Sequence, residues 1–446
     1  MTTSMKNILL SGAIASLLSL SLTTAQAENV TARPVNDFLE SIGACVHVQH
    51  GQDASKMVDL LKYVGIRNVR DAADRNYDMT GLLLLHREVG VKVVIGPGSG
   101  ARDADLPATL VMAKQLHEAG ALLAIEGPNE PNNFGGVTYQ GGNSNSVKSW
   151  MPVAKFQRDL YKAVKEDGQL KKYPVYSATE MGAQPDNVGL QFLVIPEGAG
   201  TLMPAGTRYA DVLNVHNYMY HEAMWPGVHD NQIWNTSDPT SECRIDGLYN
   251  NHGRTWGKKF AGYTNEQLTA MPRVTTETGV RVGDVNGAVT EEVQANNYIN
   301  LYLAQFKRGW SHTFIYEFLD DPDGSFGFYK IDYKTPRKAS LYLHNLTTIL
   351  TDKGKAVKGK ELSYSIKDQP VTTHDLLLQR SDGSFALIIW GERMMGSDAI
   401  TLQFGKKCKE ITCYDPTLGT EPTRKLENTD NTTLTISDHP VILFLK

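Results

Sequence analysis

Eight short apolar runs, alternating with stretches of helical spacing, occupy the chain between Ser41 and Phe318. This alternation predicts an α/β fold, a closed (β/α)8 barrel around a parallel sheet. Past Leu350 the texture changes to short alternating strands punctuated by turn residues, which predicts a small C-terminal all-β sandwich. The rival to the barrel is the open, doubly wound sheet. That fold carries a Gly-rich phosphate turn after its first strand, whereas Gly43 stands ahead of the centre of the first strand here.

The first strand is the run Ile42-Gly-Ala-Cys-Val-His-Val48, and residues 57–64 follow with helical spacing. Residues 66–70 form the second strand, ending at Arg70, and residues 82–88 the next helix. Residues 91–96 make the third strand and 106–119 a helix, with Gly120 as its C-cap. The fourth strand is the apolar run 122–125, of the kind a strand buried on both faces shows. A polar loop over 135–146, a helix over 153–167 and a fifth strand over 173–178 come next. The sixth strand is 212–216, and a long loop rich in aromatics (Trp225, Trp234, Tyr249, Trp256) leads to the seventh at 271–279. A helix over 291–307 and an eighth strand over 312–318 complete the barrel, which is expected to span 36–350. In the sandwich, expected over 355–446, seven strands are read at 361–366, 376–380, 385–390, 399–404, 410–414, 434–436 and 441–445, with Ser381-Asp382-Gly383 as a hairpin turn.

The 446 residues are 41% hydrophobic and 21% charged, ordinary globular composition with room for a large barrel and a smaller domain. A formal net charge of -5 and the lack of a basic stripe exclude a nucleic-acid-binding class. At the N-terminus, Lys6, an apolar stretch over 8–22 and Ala25-Gln26-Ala27 read as a cleavable signal peptide over 1–27 and a secreted or periplasmic protein. A membrane anchor is the alternative, for which the segment is short, and no later stretch approaches the roughly 20 apolar residues of a span. Of four cysteines, Cys408 and Cys413 are near enough in sequence to bridge a bulge or turn, and Cys45 reads as a small buried hydrophobe. No Cys/His spacing resembles a zinc site.

Chemistry enters where the fourth strand ends. After Leu122-Leu-Ala-Ile-Glu126, Gly127 and Pro128 break the strand, and Asn129 and Glu130 follow, pinned by Pro131. An amide beside a carboxylate at the C-terminal mouth of a parallel strand stands where α/β barrels put their active sites. The seventh strand, Met271-Pro-Arg-Val-Thr-Thr-Glu-Thr-Gly279, ends likewise in a carboxylate, Glu277. Two carboxylates at two strand mouths are the minimum equipment for cleaving a glycosidic bond. Asn129-Glu130-Pro131 and Thr276-Glu277-Thr278-Gly279 resemble the acid/base and nucleophile motifs of glycoside hydrolase clan A, the retaining barrel enzymes, and the overall layout is most similar to family 39 and its unassigned relatives.

The resemblance implies a general acid/base in Glu130 and a nucleophile in Glu277, with the Asn129 amide on the sugar 2-hydroxyl. His216 and Tyr218, in the His-x-Tyr pattern closing the sixth strand, are expected to orient Glu277; the bland alternative for His216 is a satisfied barrel histidine. Arg70 matches the clan's arginine beside the nucleophile, where its permanent charge would keep Glu277 anionic; a rim salt bridge to Asp71 or Asp74 is the plainer reading. An aromatic of the long loop, with Trp256 singled out, lines a subsite or packs the loop on itself. His47 and His50 end the first strand and are further candidates for contact with sugar. Tyr316 and Glu317 stand where several clan families place a tryptophan platform, a departure that breaks the transfer of their substrate preference. Asp321-Pro-Asp-Gly-Ser325 lacks the spacing of a calcium loop and reads as a turn.

Together these readings imply a secreted retaining hydrolase of β-glycosidic bonds in an oligo- or polysaccharide, needing no metal or organic cofactor. A catalytically silent sugar-binding barrel and a transglycosylase using the same covalent intermediate stay open. The sugar, the linkage, exo or endo action and the oligomeric state are not legible in the sequence.

Overall fold

The computed structural model describes residues 27–73, 77–98, 105–131, 136–144, 151–179, 207–219, 230–238, 270–283, 288–322, 324–355 and 357–446. The signal-peptide reading and Trp225, Tyr249, Trp256, Asp74 and Cys243 therefore lie outside the described residues.

The chain opens with β1 (Glu28–Thr31) and β2 (Arg33–Pro34), then α1 (Val35–Glu40). The barrel region follows as β3 (Ile42–Cys45), α2 (Ala54–Val64), β4 (Asn68–Ala72), α3 (Thr80–Val89), β5 (Lys92–Gly96), α4 (Leu106–Glu118) and β6 (Leu122–Glu126). A small hairpin, β7 (Thr138–Tyr139) and β8 (Gly142–Asn143), precedes α5 (Met151–Glu166), β9 (Val175–Tyr176) and β10 (Leu213–Val215). The region ends with α6 (Gln232–Thr236), β11 (Arg273–Thr278), α7 (Glu291–Lys307), β12 (Thr313–Ile315) and α8 (Lys338–Leu350).

Eight of these strands pair in parallel in the order β10-β11-β12-β3-β4-β5-β6-β9. A parallel bridge between Tyr176 and Val212 joins the two ends of that sheet, so the barrel closes on itself. Its interior is filled by Cys45, Val94, Ala124, Tyr176, Val212, Val274 and Phe314, a packed core rather than a pore. The outer faces bury against helices whose ends are set by side chains. Asp53 caps α2 through the Ser55 amide, Asp105 caps α4 through that of Ala108, and Thr290 caps α7 through that of Val293.

The second unit holds β13 (Glu361–Lys367), β14 (Thr373–Gln379), β15 (Phe385–Gly391), β16 (Asp398–Tyr414), β17 (Arg424–Ile436) and β18 (Pro440–Leu445). These strands form one hydrogen-bonded sheet, ordered β1-β13-β16-β18-β15-β14-β2 with β17 on β16. Two of the expected strands, 399–404 and 410–414, are halves of one long β16 that shifts register between Gln403 and Cys408. Its first half pairs with β13 and its second with β18. The N-terminal β1 and β2 belong to this sheet, so the unit is not confined to 355–446. Cys408 and Cys413 are free and sit along the same strand. At about 3.3 Å per residue they are roughly 16 Å apart, too far for the bridge the sequence suggested.

Helix α7 joins the two units. The Asn300 amide donates to Gly391 O at 3.1 Å and Asp438 O at 2.8 Å, and the Asn296 amide to Asp438 Oδ2 at 2.9 Å. Trp234 belongs to the same contact, stacked on His374 with ring centroids 4.2 Å apart and covered by the Arg308 guanidinium. Its ring packs the barrel against the sheet, which corrects its place among the candidate subsite aromatics.

Candidate active site

The C-terminal ends of the barrel strands carry a polar network centred on Arg70, within β4 and 5% exposed. Its Nε and Nη2 donate to the two oxygens of Glu126 at 2.9 and 3.1 Å. Nη1 donates to Glu277 Oε2 at 3.0 Å, and Nη2 also to Asn129 Oδ1 at 2.6 Å. Burial works to lower the Arg70 pKa, but the charges around it, Glu126 foremost, raise it well above the usual guanidinium value. Arg70 is therefore a permanent cation inside the barrel mouth, and among the described residues its ion pairs are to Glu126 and Glu277 rather than to Asp71.

Glu126 ends β6 and is 1% exposed. Besides Arg70 it accepts from Asn214 Nδ2 at 2.9 Å and lies 2.8 Å from Thr276 Oγ1. Arg70, Glu126 and Asn214 come from the second, fourth and sixth barrel strands, alternate strands that supply one layer of a barrel interior. The sequence reading missed Glu126 and Asn214. The available signal was a glutamate ending a strand otherwise apolar, since a charge there must find a buried partner.

Just beyond β6 the chain turns sharply. Gly127 passes so close to α5 that a Cβ would lie 1.8 Å from Gln157 Oε1. Glu130 takes a left-handed backbone, φ 38°, with its amide bonded to Thr179 Oγ1 at 3.1 Å. Such a conformation in a non-glycine residue is held by its surroundings, and it places the buried Glu130 carboxylate 2.6 Å from His216 Nδ1.

On β11, Glu277 is 12% exposed. Tyr218 donates to its Oε1 at 2.6 Å, opposite the Arg70 bond to Oε2. Burial and the Glu277 charge push the Tyr218 phenol well above its usual pKa, so it remains a donor. Two residues on, a Cβ at Gly279 would lie 2.3 Å from Tyr316 O, so the close passage of the next strand end demands glycine there. Oxygens of Glu130 and Glu277 and a nitrogen of His216 all lie within 4.8 Å of one another. His216 faces Glu130 at 2.6 Å and stands 3.7 Å from Glu277, so its first partner is the other carboxylate from the one expected.

A second cluster occupies the neighbouring mouth. His47 Nδ1 is 3.1 Å from Asp321 Oδ1 and 3.4 Å from Glu317 Oε2, and Tyr316 donates its phenol O–H to Asp321 Oδ2. Burial, reinforced by Asp321, pushes the Glu317 carboxyl up to about 10, so it is protonated at neutral pH. The Tyr316 ring links the clusters, its centroid 5.5 Å from that of His47 and 6.4 Å from that of Tyr218. The structure thus brings Arg70, Asn129, Glu130, His216, Tyr218 and Glu277 into one group and His47, Tyr316 and Glu317 into another beside it. Asp321, read from sequence as part of a turn, belongs to the second group.

No protein-family model matches this chain, and no curated protein matches it. Solved structures do. A family 39 glycoside hydrolase from the gut symbiont Bacteroides cellulosilyticus WH2 aligns over 93% of this chain and 81% of its own, at TM-score 0.58 and 16% identity. A family 30 endoxylanase from Clostridium papyrosolvens C71 aligns over 95% and 98%, at TM-score 0.53 and 11% identity. A family 51 arabinofuranosidase from Xanthomonas axonopodis pv. citri gives the same coverage, TM-score and identity. Among the described residues no helix is long and apolar enough to cross a membrane. The resemblance read from two short motifs thus extends to the architecture: this chain shares its fold with the clan A glycoside hydrolases of families 39, 30 and 51.

Proposed function

We propose that the protein is a retaining glycoside hydrolase that cleaves β-glycosidic bonds of an oligo- or polysaccharide by double displacement. The observation that carries this reading is the Glu130–Glu277 pair, with carboxylate oxygens within 4.8 Å of each other and different partners on each. Retaining enzymes hold their two carboxyl groups about 5–5.5 Å apart, whereas inverting ones leave about 6.5–9.5 Å for a water.

Glu277 is the nucleophile. Arg70 and Tyr218 donate to its two oxygens and hold the carboxylate in place. It attacks the anomeric carbon as the bond to the leaving oxygen breaks, giving a covalent glycosyl-enzyme. Glu130 donates its proton to that oxygen, then takes one from the water that releases the sugar.

The His216 contacts supply the proton. Thr276 Oγ1 lies within hydrogen-bond reach of two acceptors, Glu126 Oε1 at 2.8 Å and Asn214 Oδ1 at 2.9 Å, so its hydrogen goes to one of them. Its lone pair is then left to accept from His216 Nε2 at 3.1 Å. With Nε2 protonated, the 2.6 Å bond between Nδ1 and Glu130 Oε1 requires one more proton between them. Whether it resides on imidazole or carboxyl, the pair holds the proton a general acid must deliver.

Asn129 hydrogen-bonds the sugar 2-hydroxyl in this reading, its amide oriented by Arg70. The protein is exported, with residues 1–27 as its signal. The test is a panel of β-aryl glycosides and polysaccharides followed by NMR of the first product anomer. A β-configured first product supports retention, and an α-configured one overturns it.

A further inference from the structure

His47, Glu317 and Asp321 come from three places: just past β3, just past β12, and the turn that follows. One ligand-type atom from each lies within 4.8 Å of the other two. Glu317 is 1% exposed. Its Oε1 accepts from the Asp321 amide at 2.9 Å, but its Oε2 is buried and accepts no hydrogen bond. His47 Nδ1, 3.4 Å from this oxygen, carries at most one hydrogen, and its shorter contact at 3.1 Å is to Asp321. A buried carboxyl oxygen left without a hydrogen-bond partner, whether it carries a charge or a proton, is costly and rare in native structures. A cation shared by the three side chains removes that cost.

We infer that His47, Glu317 and Asp321 form a binding site for a first-row divalent cation of the Zn2+ or Mn2+ class. One imidazole nitrogen with two carboxylate oxygens suits those ions, whereas Ca2+ and Mg2+ favour shells built from oxygen alone. Tyr316 bonds the second oxygen of Asp321 and so orients that ligand from outside the shell. Three protein ligands leave coordination positions open for water or sugar hydroxyls. The ligands sit far apart in sequence, which is why no metal motif announced them. This inference does not depend on the glycosidase reading, because an ion can bind with no sugar present.

The test is calorimetric titration of the chelator-treated full-length protein with ZnCl2 and with MnCl2, without sugar. The expected result is one ion per chain, with affinity reduced about tenfold or more in Glu317→Gln and in Asp321→Asn. Asp321 is more exposed than Glu317, so its variant retains a folded reference if Glu317→Gln does not fold. In Glu277→Gln the affinity is expected to be unchanged, which separates this cluster from the Glu130, His216 and Glu277 group. Thermal melts give a second readout: the ion raises the Tm of the wild type and not of folded Asp321→Asn. Absence of binding tighter than about 1 mM in the wild type overturns the assignment. So does binding that survives Asp321→Asn, or binding lost in Glu277→Gln.

Discussion

His216 Nδ1 lies 2.6 Å from Glu130 Oε1, and its other nitrogen is 3.1 Å from Thr276 Oγ1. The imidazole therefore connects the proposed acid/base to the Arg70–Glu126 layer beneath it.

His216→Ala is expected to lower kcat by about 10²-fold through loss of the partner that shares the acid's proton. The loss should be greatest with poor leaving groups and shrink with activated aryl glycosides, which need little protonation. A pH–rate profile checks the assignment: the alkaline limb should move in the variant. An unchanged limb makes His216 a packing residue.

Tyr218→Phe removes the donor to Glu277 Oε1. A hydrogen bond to a charged group contributes about 1.5–3 kcal/mol. The variant is expected to lose about 10- to 100-fold in kcat/KM with its unfolding midpoint little changed, as steady-state kinetics and urea titration would show.

Arg70 and Glu126 are a buried bidentate pair. Removing one partner strands the other's charge, so Glu126→Ala is expected to cost about 3–5 kcal/mol of stability. Glu277→Gln keeps its oxygen acceptor on Arg70 and is expected to stay within about 1 kcal/mol of wild type. Urea unfolding of the two variants side by side measures the contrast.

His439 links two strand ends of the β unit, 3.2 Å from Asp415 and 3.3 Å from Asp438. Burial lowers its pKa, but these two carboxylates outweigh burial and raise it to about 9. A histidine whose pKa is higher folded than unfolded, here above about 6.5, adds stability that is full below pH 6.5 and is lost as pH rises through 9. The decline should be up to about 3 kcal/mol and absent in His439→Gln. Unfolding midpoints at several pH values across that window check it.

Much of the site was legible because its residues stand where strand patterns end. Arg70, Glu130, Tyr218 and Glu277 each follow a recognisable apolar run, and a barrel converges such ends on one mouth. Partner choice was not legible: adjacent strand mouths offer His216 two carboxylates, and only backbone geometry, including the left-handed Glu130, selects between them. Glu126 was hidden by its own strand, being the last residue of a run read for its apolarity. In the β unit, Gly405-Lys406-Lys407 looks like a turn, yet the long β16 passes through it with a shift of register. The pairing of β1 with β13 joins residues too distant in sequence for any local pattern to reveal.

The central claim is that Glu277 forms a covalent bond to the sugar. The most direct measurement is peptide mapping of the protein after incubation with a set of 2-deoxy-2-fluoro-β-glycosyl fluorides, which slow release of the intermediate. The account predicts one sugar per chain, carried by the peptide containing Glu277 and absent in Glu277→Gln. A label on another residue, or turnover undiminished in Glu277→Gln, would contradict it.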